Sequence, residues 1–159
     1  MNSQRWMRLG AKAVHDIASI SFGGGLAACL VINLMANRAS SSEFATARQV
    51  FTAIAQYVLI PSVAVVAVSG LAAMMATRAY QDAGWVWVKA VLGISVLVAT
   101  FRVVGSGTTS TELAVAATDP SVLDAMLHSE RNMLWLLIAL CVINVFFAVW
   151  RPKLMITIR

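Results

Sequence analysis

Hydrophobic residues fall into four long blocks along this chain, and polar residues are confined to the intervals between them. The blocks cover approximately residues 10–36, 50–77, 85–104 and 132–150. About 20 mainly apolar residues make a helix long enough to cross a hydrocarbon layer of roughly 30 Å, and each block reaches that scale. The runs are continuous and do not alternate with a period of two, which excludes the strands of a membrane β-barrel. The pattern predicts an all-α, membrane-spanning four-helix bundle forming one transmembrane domain over residues 1–159. The first block is expected to be a true span. It is long, has no clear cleavage site after its apolar part, and belongs to a series of similar blocks.

The intervals are short. Residues 37–49 form a polar link, residues 78–84 a tight one, and residues 105–130 the one loop of any size. Gly105-Ser106-Gly107-Thr108-Thr109-Ser110 reads as coil. Asp119-Pro120 has the form of a helix start, with aspartate as N-cap and proline in the first turn. Val122, Leu123, Met126 and Leu127 follow at helical spacing, and nothing between Pro120 and Trp150 breaks a helix, so the fourth span is expected to extend back to Pro120. Pro61 is expected to kink the second span.

Composition agrees with this outline. Of the 159 residues, 60% are hydrophobic and 12% charged, with a mean hydropathy of +0.80, far from the quarter charged that is usual in soluble domains. The net charge of +5 follows from topology. Arg5, Arg8, Lys12, Arg78, Arg151, Lys153 and Arg159 share one side of an even-span protein, and Arg38, Arg48 and Arg131 the other. The positive-inside rule then puts both termini in the cytoplasm, as in a bacterial inner membrane, with anionic lipid and not nucleic acid as the partner of the excess charge. Cys29 and Cys141 both lie inside spans and read as buried small hydrophobes.

Ionisable residues inside spans are costly and carry most of the functional signal. His15 and Asp16 lie about a turn and a half into the first span and Lys89 about a turn into the third, entering from the same side. Two readings of this intramembrane polar cluster stay open: an Asp16–Lys89 ion pair with His15 beside it, or three groups that snorkel to the interface. Arg102 sits at the other end of the third span, with Glu112 or Glu130 as candidate partners. His15 is the one candidate ligand for haem iron or copper, and His128 lies toward the opposite face. Met74, Met75, Met126 and Met133 fit core or interface positions as readily as ligand positions.

Small residues recur every four positions. Ser19, Gly23 and Ala27 make a row on the first span, broadened by Gly24 and Gly25, and Ser69, Ala73 and Thr77 make one on the second. Such rows let helix backbones approach closely in lipid, either within the bundle or against another subunit. Trp6, Trp85, Trp87, Trp135 and Trp150 sit near span ends, as in an aromatic belt. No phosphate loop, nucleophile constellation or Cys/His metal pattern is present.

Several of these residues resemble a known group. Lys12-Ala13-Val14-His15 with Phe22, Gly25 and Leu26, then Ser69-Gly70-Leu71, Trp85-Val86-Trp87-Val88-Lys89 and Trp150-Arg151-Pro152, resemble the four-helix membrane proteins around CopD and HemJ. The resemblance implies a four-helix membrane fold and, for the HemJ type, haem b held by two histidines. The second histidine is replaced here, where Thr100, Phe101 and Arg102 stand. The resemblance therefore carries over only His15 and Lys89, points to the group's uncharacterised members, and assigns no enzyme activity. Two functions follow from the sequence. The chain is a helical subunit or accessory factor of a larger membrane complex, its partners being other subunits or further copies of itself. Alternatively, it is a haem b-binding or copper-handling redox protein using His15.

Overall fold

In lipid a spanning backbone must satisfy its own hydrogen bonds, and a helix does so within one segment. The computed structural model describes residues 3–35, 41–75, 84–106 and 119–150, and among these only Asp119 is outside a helix. The elements are α1 (Ser3–Met35), α2 (Ser41–Ile54), a π-helical turn (Ala55–Leu59), α3 (Ile60–Met75), α4 (Gly84–Ser106) and α5 (Pro120–Trp150). Four helical stretches are long and apolar enough to cross a membrane: Leu9–Met35, Ser42–Met75, Val86–Val104 and Pro120–Trp150. The protein is an all-α four-helix bundle.

The second span joins α2, the π turn and α3 into one continuous rod. Pro61 explains the turn within it. Proline has no N–H to give the Tyr57 carbonyl four residues back, and its ring would crowd that carbonyl. Widening the preceding turn relieves this, and the Ile60 N–H reaches the Ala55 carbonyl five residues back. The rod also corrects the expected polar link over residues 37–49, because from Ser41 onward that segment is helix. The fourth span extends back to Pro120 as the sequence predicts, and α4 runs on to Ser106, so helix takes both ends of the 105–130 interval. Residues 107–118, which include Glu112, lie outside the described residues, as do Thr77, Arg78 and the tail from Arg151.

α1 packs on α3 and α5, and α4 closes the ring between the same two helices, leaving α1 and α4 diagonal. Ala18, Phe22, Leu26, Cys29 and Leu30 form the inward stripe of α1 at helical spacing. They meet Phe51, Leu59 and Val63 of the second span and Val96, Val103, Leu134 and Leu137 of α4 and α5. The share of span residues buried inside the bundle falls from 39% in the first span to 11% in the fourth. Large side chains such as Ile20, Val68, Val145 and Val149 point outward, a surface that lipid covers and water would not tolerate.

Candidate functional site

The first polar layer is built on His15. Antiparallel packing of α1 and α3 sets its imidazole on the small surface of Ser69 and Gly70: Nδ1 lies 2.7 Å from Ser69 Oγ, and a Cβ on Gly70 would sit 3.8 Å from His15 Cε1. The Ser69 hydroxyl donates its own proton to the Val65 carbonyl at 2.5 Å. With that proton committed, Ser69 Oγ is an acceptor for the ring, so Nδ1 carries the hydrogen and Nε2 keeps its lone pair. The charges of Lys89 and Asp16 both reach this ring, with opposite effect. The trio thus shares one neighbourhood, and of its two readings the Asp16–Lys89 ion pair is not present among the described residues. Lys89 is half-buried on α4 and the Asp16 carboxylate points outward from α1. These two helices are diagonal in the bundle, which is why matching depth did not bring the charges together.

A second polar layer lies 18 residues along α1, about 27 Å at 1.5 Å per residue. Arg48 of α2 grips Glu130 of α5 with both guanidinium nitrogens, Nη1 to Oε2 at 2.7 Å and Nη2 to Oε1 at 3.1 Å. The two side chains are 10% and 8% exposed. Asn33 of α1 donates Nδ2 to the same Oε2 at 2.8 Å and to the Leu127 carbonyl at 3.4 Å. A carboxylate only accepts, so the amide nitrogen must face Glu130. The Arg48 guanidinium also stacks 4.6 Å over the Phe51 ring. This lock ties three helices together at the end of the bundle away from the termini. The sequence does not announce it: Glu130 stands there, with Glu112, as one of two candidate partners of Arg102, which is exposed, and Arg48 falls in the expected link. Ser40-x-x-Glu43, with capping-box spacing, was the signal that helix starts well before Val50.

The small-residue rows divide. Gly25 is the position of close approach, where a Cβ would meet Leu59 Cδ2 at 2.8 Å and Val58 Cγ1 at 3.3 Å. Ser19, Gly23, Gly24 and Ala27 face outward, and a Cβ on Gly23 or Gly24 would meet nothing within 4 Å. On α3, Ser69 serves His15, and Ala73 is exposed. Packing inside the bundle is therefore the use of Gly25 and Ser69 and not of Ser19, Gly23, Ala27 or Ala73.

The residues around His15 do not fit haem. The Nδ1–Cε1 edge of the ring is turned onto α3 at Ser69 and Gly70. One cavity, between Val14, Ile17, Ala18, Pro61, Ser62 and Val65, is an open apolar groove of about 270 Å³, below the roughly 300–1,000 Å³ of small-molecule sites. Thr100, at the place of the second histidine, is fully buried and bonded to the Val96 carbonyl. His128 is engaged by Arg131 on α5. Met74 is buried and Met75 exposed, so they do not form a paired set beside the ring. For copper, no group of three His, Cys, Asp or Glu side chains converges among the described residues. Comparison with protein-family models, with curated proteins and with solved structures gave no match to this chain.

Proposed function

We propose that the protein is a helical subunit or accessory factor of a larger membrane complex, in a bacterial inner membrane with both termini in the cytoplasm. The observation that carries this reading is the outward face of α1. Ser19, Gly23, Gly24 and Ala27 are all exposed, with open space above both glycines. Glycine in a helix costs about 1 kcal/mol relative to alanine, so a glycine pair with no neighbour inside the chain gains its use from a neighbour outside it. The short intervals between spans support the same reading, since they leave little room for a soluble catalytic site. A place beside the uncharacterised members of the CopD/HemJ-like group is compatible with it.

Purification in mild detergent followed by mass spectrometry tests the proposal. Membrane proteins should accompany the wild-type chain in fixed ratio and be lost with Gly23→Leu, while the variant still inserts and folds. A homogeneous monomer in both preparations would overturn it.

A further inference from the structure

We infer that the outward face of α1 is the contact between two copies of this chain, sealed at its cytoplasmic end by reciprocal Lys12–Asp16 ion pairs. The inference rests on the association reading above and names the partner. At 3.6 residues per turn, Lys12, Asp16, Ser19, Gly23 and Ala27 fall within about 80° of arc, on one continuous stripe. All five are exposed. Asp16 lies seven residues beyond Leu9, the first residue of the span, about 10 Å along the helix. A carboxylate presented to lipid at that depth is costly without a partner, and no ion pair to it is present among the described residues.

The stripe supplies that partner when it meets itself. Two copies in one membrane share an orientation, so their α1 helices run parallel about a two-fold axis along the membrane normal. A two-fold contact requires a self-complementary surface, where residue i meets j and j meets i. A cation and an anion one turn apart on a single face meet that requirement. Lys12 of each copy faces Asp16 of the other, giving two pairs from one element. Ser19 and Gly23 provide the close backbone approach at the crossing. Beyond it the helices part, and the long lysine stem spans the widening gap. Neutralising both carboxylates also removes the cost of holding them at the hydrocarbon edge.

The test is oxidative cross-linking in native membranes, with the full chain carrying Cys29→Ala and Cys141→Ala. Gly23→Cys should give a disulfide-linked homodimer, and Val145→Cys, on the exposed side of α5, should not. In the Gly23→Cys background, Lys12→Asp and Asp16→Lys should each reduce cross-linking roughly three- to fifteen-fold, the range that interhelical polar contacts reach in lipid. The double exchange should restore it, which a loss of folding would not do. Absence of a homodimer at Gly23→Cys, equal cross-linking at Val145→Cys, or no recovery in the double exchange would each overturn the inference. Co-purification of other membrane subunits without a homodimer would overturn it while leaving the proposed function standing.

Discussion

Arg48 and Glu130 show what single residues do in this protein. Each is nearly withdrawn from solvent, and each satisfies the other through two hydrogen bonds. Removing one partner of such a pair leaves a buried charge without compensation, at roughly 3–5 kcal/mol. Arg48→Met and Glu130→Gln should each destabilise the fold by that order, seen as a lower unfolding temperature in micelles. The double variant Arg48→Met/Glu130→Leu should recover a large part of the loss, and strictly additive losses would show that the pair is not coupled. Asp119 acts differently because it is exposed. Its carboxylate accepts from the Ser121 hydroxyl at 2.7 Å and the Ser121 amide at 2.9 Å, capping α5. Those two bonds hold its pKa below the usual aspartate value, the hydroxyl bond first. A group lowered on folding contributes fully above its unfolded pKa, and the contribution is lost as pH falls through the lowered folded value. Asp119→Ala should therefore melt earlier than wild type at pH 7, and the gap should close below about pH 3.9. Asp119→Asn, which can still cap, should show no such convergence.

At the scale of elements, local signals were readable and distant pairings were not. The cap at Asp119 and the unbroken run to Trp150 are set by neighbours within a few residues, so the N-cap and helix spacing announced both. The start of the second span was misplaced because Arg48 and Gln49 lower the hydropathy where the helix has already begun. Arg48 is held there by Glu130, 82 residues away, a partner that periodicity does not reveal. Whether Asp16 and Lys89 meet is hidden from the sequence for the complementary reason. Depth could be counted along each helix, but which helices are neighbours in the ring is a packing outcome. The glycines sort by the same logic. Sequence spacing grouped Gly23, Gly24 and Gly25, while the π turn before Pro61 pushes Leu59 and Val58 against Gly25 alone. Leu59 is fully buried, so moving it disturbs the core around it. Gly25→Val should lose about 1–3 kcal/mol by overpacking. Gly24→Ala should be neutral or gain up to about 1 kcal/mol from helix propensity. Thermal unfolding of the two variants side by side checks this, and equal destabilisation would mean that the close approach at Gly25 does not exist.

Across the whole molecule, the two polar layers frame the membrane. His15, Asp16 and Lys89 mark one level, and Asn33, Arg48 and Glu130 another about 27 Å away along α1, close to the roughly 30 Å of a hydrocarbon core. Trp6 and Trp87 lie toward the first level and are exposed, as expected of side chains seated at headgroups, and the exposed Trp135 lies about 7.5 Å inside the second. Beyond the second level, α2 begins seven residues before Arg48 and α5 ten residues before Glu130. Glu43, Asp119 and Asp124 lie at that end, while Arg5, Arg8 and Lys12 lie at the other. Lys and Arg decide orientation during insertion, and acidic residues contribute little, so the basic end should be cytoplasmic. In intact cells an impermeant maleimide should label Ser42→Cys and spare Ser3→Cys, with both becoming reactive after permeabilisation. The native thiols give little background, because Cys29 is buried, Cys141 is half-buried, and both lie within spans. Labelling of Ser3→Cys with Ser42→Cys protected would invert the orientation. The contact inferred for α1 would survive that inversion, because its two-fold axis runs along the membrane normal whichever end faces the cytoplasm.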